Sequence, residues 1–253
     1  MILASGTNLM INTSMSLPNP KWLALEGVRF ASTLVDYLKM DMNLLPRGDE
    51  HPVLLLPGLA TNSTSTTFIR RRLRRLGYRA HDWDLGYNVR FDETRVQGLK
   101  RNLDYWHDYY GEEISIIGLS LGGVYARFLA NWAPEKVRQI ITLGSPFAGE
   151  EPIITYGSYL YDFLNRDHRA KDLLEKYGGM FRVDPPVPST SIYSRTDGVV
   201  HWKYSVQKEG HVRENIEIDS GHISLACHPK VIEIISDRLL NSKNDWKPYH
   251  RRV

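Results

Sequence analysis

Ile114-Ser115-Ile116-Ile117-Gly118-Leu119-Ser120-Leu121-Gly122-Gly123 is the stretch on which the reading of this chain turns. An apolar run leads into Gly118-Leu119-Ser120-Leu121-Gly122, a Gly-x-Ser-x-Gly, and a helical pattern over Leu121–Trp132 leaves it, closed by Pro134. A serine so flanked sits on a sharp turn between strand and helix, where only glycines let the neighbouring backbones pass. The turn lifts the hydroxyl above the sheet. It also sets it at a helix N-terminus, where free N–H groups favour developing negative charge. Ser120 is therefore the candidate nucleophile. An ordinary glycine-rich turn would account for the glycines but not for the strand before them and the helix after.

Outward from this stretch the chain alternates strands and helices. Val53–Leu56 is a continuous apolar run before Pro57-Gly58, the mark of a buried parallel strand. In Thr66–Leu76, Ile69, Leu73 and Leu76 fall on one helix face, and Gly77 ends it. Tyr78–Trp83 reads as a second strand. Val96, Leu99, Leu103, Trp106 and Tyr110 line a long helix stopped by Gly111. Ile114–Gly118 and Val137–Leu143 are the third and fourth strands, Ser191–Ser194 and Asn215–Ile218 the fifth and sixth, and Pro229–Leu240 a closing helix. Repeated strand–helix units of this length predict one α/β domain over 1–253, an about six-stranded, mostly parallel sheet flanked by helices. Residues 1–50 show no strand pair. Trp22, Leu25, Val28 and Leu38 predict an N-terminal helical extension packed on the outside. Residues 148–185 break the alternation with Tyr156, Tyr159, Tyr161, Phe163, Tyr177 and Phe181, and read as a small helical lid or cap insertion. Tyr159 and Phe163 are its candidate substrate-binding residues. Simple packing over the sheet is the competing reading of these aromatics.

A serine hydroxyl is a poor nucleophile until a base takes its proton, and the base needs an orienting carboxylate. Chemistry in open parallel sheets gathers beyond the carboxyl ends of the strands. Asp197, in Tyr193-Ser-Arg-Thr-Asp-Gly198, lies just past the fifth strand, and His222, in Ile218-Asp-Ser-Gly-His222, just past the sixth. His201, His211 and His228 follow no strand end in this way. Asp219 is a rival acid, but only three residues before His222 it would have to fold back along the same loop. The oxyanion of acyl transfer needs preset donors. The N–H of Leu121, next to the nucleophile, is one. Leu59, in the loop Pro57–Asn62, is the other, with Ala60 as runner-up.

Taken together, Val53-Leu-Leu-Leu-Pro-Gly-Leu59, Ile117-Gly-Leu-Ser-Leu-Gly-Gly123 and Ile141-Thr-Leu-Gly-Ser-Pro-Phe147 resemble the α/β-hydrolase superfamily, specifically its bacterial lipase- and esterase-like members. Tyr193–Val200 and Ser220–Leu225 look like that group's acid and base regions. The resemblance spans about residues 51–240. It implies an α/β-hydrolase fold, ester hydrolysis through an acyl-enzyme, no cofactor, and a triad of Ser120, Asp197 and His222. Two departures stand out: Pro57-Gly58 where many relatives carry His-Gly, and Ser145-Pro146-Phe147 where many carry Thr-Pro-His. Neither removes a triad member.

Composition sets the outer bounds. The 253 residues are 42% apolar with a net charge of +3, too small to imply a nucleic-acid partner. The histidines lack metal-ligand spacing and Cys227 is the single cysteine, so neither a metal nor a disulfide is expected. Met1–Pro20 has no basic start of a secretory signal, and Glu26, Arg29, Asp36 and Lys39 interrupt the more apolar stretch after it, so a soluble cytoplasmic protein is expected. Arg70, Arg71, Arg72, Arg74 and Arg75 read most simply as a solvated helix face. Attraction to an anionic membrane surface is the sharper alternative. The expected substrate is a small-molecule or lipid ester. Acyl transfer to an alcohol, and a non-catalytic lipid- or protein-binding module, are the rival functions.

Overall fold

The computed structural model describes residues 17–90, 92–149, 155–158, 176–177 and 179–249. Six strands form one parallel sheet: β1 (Pro52–Leu56), β2 (Arg79–Asp82), β3 (Ile114–Leu119), β4 (Val137–Leu143), β5 (Ser189–Tyr193) and β6 (Arg213–Glu217). Their spatial order is β2-β1-β3-β4-β5-β6. The chain runs outward from β1 to β2 and then returns to place β3 on the other side of β1. Such a reversal marks the carboxyl ends of β1 and β3 as the position where sheets of this kind bind ligands.

Period-two alternation explains how the sheet is covered. Leu54 and Leu56 of β1 enter a buried cluster with α3 (Glu93–Tyr110) and α4 (Leu121–Trp132). Val53 and Leu55 enter a second cluster, on the opposite face, with α2 (Thr67–Leu76) and α5 (Pro229–Leu239). Both faces being buried, the strand reads as an unbroken apolar run. Helix ends follow local chemistry. The Asp92 carboxylate accepts from the Arg95 N–H at the start of α3. Gly77 and Gly111 close α2 and α3 in the left-handed conformation.

Two expectations are corrected. Strands β5 and β6 begin two residues earlier than the apolar pattern implies. The extra residues are polar, yet Ser189, Thr190 and Glu214 are buried: Ser189 Oγ donates to Gln207 (2.9 Å) and Thr190 Oγ1 to Glu214 (2.8 Å). The second correction concerns α1 (Pro20–Lys39), which forms as expected but with its faces reversed. Leu25, Val28 and Leu38 are 41%, 67% and 72% exposed, Trp22 is half-buried, and its buried residues are Glu26 and Tyr37. At the sheet end α1 meets backbone N–H donors, which Glu26 satisfies, and further along Phe30 and Tyr37 pack edge-on against Phe68. Among the described residues, no helix is long and apolar enough to cross a membrane.

Candidate active site

Ser120 lies between β3 and α4 with φ 50° and ψ −119°, a left-handed backbone that costs a non-glycine residue about 1–3 kcal/mol. Packing holds it there. A Cβ on Gly122 would lie 2.2 Å from the Leu56 carbonyl oxygen, and one on Gly118 would lie 2.3 Å from that of Gly122. Only glycines allow β1, β3 and α4 to approach so closely. The Ser120 N–H donates to the Leu143 carbonyl (2.8 Å), which ties the turn to the end of β4.

The two candidate partners come from the loops after β5 and β6. His222 Nδ1 and Asp197 Oδ2 are 2.7 Å apart. The other Asp197 oxygen accepts from the N–H groups of Val199 (2.8 Å) and Val200 (2.7 Å), so the carboxylate cannot rotate. Asp197 is nearly fully buried, while the imidazole keeps 13% of its surface open. Gly144 joins this pair to the serine turn. It follows Leu143, the acceptor of the Ser120 N–H, and a Cβ there would lie 3.0 Å from Asp197 Oδ2 and 3.1 Å from His222 Nδ1. Burial opposes protonation of His222, but the charge of Asp197, its hydrogen bond and the charge of Glu26 outweigh it and hold the imidazole above its ordinary value.

The rivals go elsewhere. Asp219 accepts from Arg29 (2.5 Å) and from Thr196 Oγ1 (2.7 Å). His228 caps α5, accepting at Nδ1 from the Lys230 N–H. His201 stacks on Trp202. A hydrogen-bonded Ser–His–Asp chain does exist at the opposite end of the sheet. There His51 Nδ1 is 2.5 Å from Asp49 and Nε2 is 2.9 Å from Ser115 Oγ. Ser115 is 0% and His51 1% exposed, on flat strand ends with no raised turn. No substrate reaches that hydroxyl, so these hydrogen bonds serve the fold alone.

The loop Pro57–Asn62, the candidate oxyanion loop, is braced by a residue that periodicity does not reveal. Asn88, fully buried, donates from Nδ2 to the Pro57 carbonyl (2.8 Å) and from its backbone N–H to Thr61 (2.7 Å), and accepts the Ala60 N–H (2.7 Å). The Ala60 donor is thereby occupied. The Leu59 N–H makes no such bond among the described residues. A Cβ on Gly58 would come within 3.4 Å of Ser120 Cβ, so this loop lies against the serine. Leu121 opens α4, where first-turn N–H groups have no intrahelical acceptor. Only the Asn type of residue 88, a turn former, could have hinted at its role.

Tyr159 and Phe163, with most of 148–185, lie outside the described residues. The described residues hold no cluster of metal-ligating side chains. Three of the five clustered arginines are engaged internally: Arg70 with Asp82, Arg72 with the Tyr37 carbonyl, and Arg74 with the Ala80 carbonyl. Phe147 is buried beneath the Arg127 guanidinium, 4.1 Å from its ring centre.

No protein-family model matches the chain. Solved structures do. Aspergillus fumigatus lipase B superposes with a TM-score of 0.56 at 16% identity over 77% of this chain, which spans 53% of that lipase's length. The mature Bacillus licheniformis lipase BlEst2 gives 0.55 at 15% identity, covering 78% of this chain and 94% of its own. Paleococcus ferrophilus monoacylglycerol lipase gives 0.54 at 14% identity, covering 76% and 96%. Strand order, parallel register and these neighbours together give the chain the α/β-hydrolase fold.

Proposed function

We propose that this protein is a carboxylic ester hydrolase of the lipase and esterase kind, working through Ser120, His222 and Asp197. The observation that carries the reading is the 2.7 Å bond between His222 Nδ1 and an immobilised Asp197, set one residue from the strand end that anchors the Ser120 turn. With Nδ1 committed to Asp197, Nε2 is the nitrogen left to take the serine proton. Ser120 Oγ then attacks the ester carbonyl, and the N–H groups of Leu59 and Leu121 hold the oxyanion. His222 returns the proton to the departing alcohol, leaving an acyl-serine. Water, deprotonated by the same imidazole, releases the acid. Asp197 supports the imidazolium at both steps without taking the proton itself.

Acyl or lipid-like esters are the substrate class this reading favours, since the solved neighbours named above are lipases. Contact with an anionic lipid surface, if it accompanies catalysis, falls to Arg71 and Arg75, exposed residues whose guanidinium groups bind no carbonyl or carboxylate among the described residues. The test is hydrolysis of p-nitrophenyl esters of graded chain length by the wild type and by Ser120→Ala, Asp197→Asn and His222→Ala. Losses on the order of 10⁴ to 10⁶ in kcat are expected for Ser120 and His222. Hydrolysis that survives Ser120→Ala would refute the assignment.

A further inference from the structure

Glu26 is 4% exposed and, among the described residues, forms no ion pair. A buried carboxylate without a cation is costly unless donors satisfy it. Three do, all backbone N–H groups from the two loops described above. Oε1 accepts from Gly198 (2.9 Å) and from His222 itself (2.7 Å), and Oε2 accepts from Ile223 (3.0 Å). Gly198 follows the acid and His222 is the base. One side chain from a helix at least 170 residues distant in sequence thus holds both.

The fit is close on each side. A Cβ on Gly221, just before His222, would lie 2.8 Å from Glu26 Oε2, and one on Gly198 would lie 2.5 Å from the Leu23 backbone nitrogen. Arg29, one turn further along α1, fastens the same base loop by its 2.5 Å pair with Asp219. At the far end of α1, the Tyr37 hydroxyl donates to the Phe68 carbonyl (3.0 Å). The helix is therefore pinned at both ends with Glu26 aimed at the acid and base loops.

We propose that Glu26 is a positioning residue for the His222–Asp197 pair, so that α1 belongs to the catalytic apparatus and is not an outer decoration. The proposal rests on the ester-hydrolase reading for its consequences in turnover, but its geometry stands apart from it. Besides binding the loops, Glu26 places a second negative charge near the imidazole. The charged groups facing His222 are Asp197 from the loop after β5 and Glu26 from α1; Asp219, paired with Arg29, sits on the same loop as His222, with His228, which opens α5, beside Asp219. Asp219 is neutralised by Arg29, which leaves Asp197 and Glu26 to favour the imidazolium.

The experiment compares wild type with Glu26→Gln and Glu26→Asp. The His222 ring titration is followed by NMR, assigned with His222→Asn, and the pH profile of kcat/KM is measured on a p-nitrophenyl ester. For Glu26→Gln, the His222 titration and the acidic limb of the profile should both move down by about 0.5–1 pH unit, less than the shift from a charge in direct contact. Its kcat/KM at the optimum should fall roughly tenfold as the loops lose registry. Glu26→Asp keeps the charge but withdraws it by one methylene, and should hold the limb near its wild-type position while losing rate. If Glu26→Gln melts too early to assay, Glu26→Asp carries the test, and wild-type kcat/KM in that variant overturns the proposal. An unmoved His222 titration in folded Glu26→Gln also overturns it. A wild type that titrates as expected yet cleaves no ester would sink the ester-hydrolase reading and leave the role of Glu26 in the pair intact.

Discussion

Replacing Gly122 by alanine tests how the Ser120 turn is built. The added Cβ would fall 2.2 Å from the Leu56 carbonyl oxygen, 2.7 Å from its carbon and 2.8 Å from the Pro57 oxygen. All three are backbone atoms of β1 and the loop it feeds, so no side chain can swing aside. Ordinary contact begins near 3.4 Å, so α4 must withdraw from β1 by about 1 Å. Overpacking of this kind costs about 1–3 kcal/mol, and a rigid backbone neighbour puts it at the upper end. For a chain of this length that lowers Tm by about 6–12 °C. The same withdrawal separates the Leu121 N–H from that of Leu59, and about 1 Å of misplacement can cost roughly 10² in kcat. Gly27→Ala is the control. Gly27 is an exposed α1 position, and a methyl group added there would meet nothing within 4 Å, so alanine should stabilise by about 0.5–1 kcal/mol. Calorimetry with p-nitrophenyl ester kinetics reads both variants. Gly122→Ala melting within about 2 °C of wild type at full kcat would show that close approach does not shape the turn.

The remaining expectations concern stability and the thiol. Burial holds His51 and His81 at about 4, against 6.5 in an unfolded chain, with the charges of Arg138 and Arg74 adding to the effect. The unfolded state therefore takes up protons first, and the stability these residues carry above pH 6.5 is lost as pH falls towards 4. For His51 this amounts to at most about 3 kcal/mol; Tm should drop across that window and His51→Gln should flatten part of the slope, whereas a level wild-type curve would contradict it. Arg72 donates to the Tyr37 carbonyl and stacks 4.1 Å from its ring centre, so Arg72→Ala should cost about 1–3 kcal/mol in urea melts, and exposed Arg71→Ala less than about 0.5. Equal costs would show that α1 is not pinned through Arg72. The Cys227 thiol is fully buried and pushed by burial to about 11, so iodoacetamide should not label the folded protein, and rapid labelling would argue that the region between β6 and α5 opens.

The central strands were legible because their chemistry is local. Val53–Leu56 is apolar on both faces, Val137–Leu143 is anchored by Val137, Ile140, Ile141 and Leu143, and the structure matches both ranges to within a residue. Gly118, Ser120 and Gly122 announce their turn by residue type and spacing, and Asp197 and His222 lie in the loops that follow β5 and β6. Edges of the sheet were harder. Ser189 and Thr190 look like loop until Gln207 and Glu214 are seen to satisfy them. The face that α1 buries could not be read at all. Periodicity asks which stripe is apolar, whereas docking was decided by three N–H groups nearly 200 residues away that needed a carboxylate. Asn88 escaped notice for the same reason, since its partners, Pro57, Ala60 and Thr61, belong to another loop.

The most direct test of the account is chemical. The purified protein is treated with a fluorophosphonate and the adduct is mapped by mass spectrometry, with Ser120→Ala and His222→Ala run beside it. The account predicts a single phosphonylated residue, Ser120, with no adduct in the Ser120 variant and strongly slowed labelling in the His222 variant. Folded wild-type protein that stays unlabelled, or an adduct formed equally fast without His222, would contradict it.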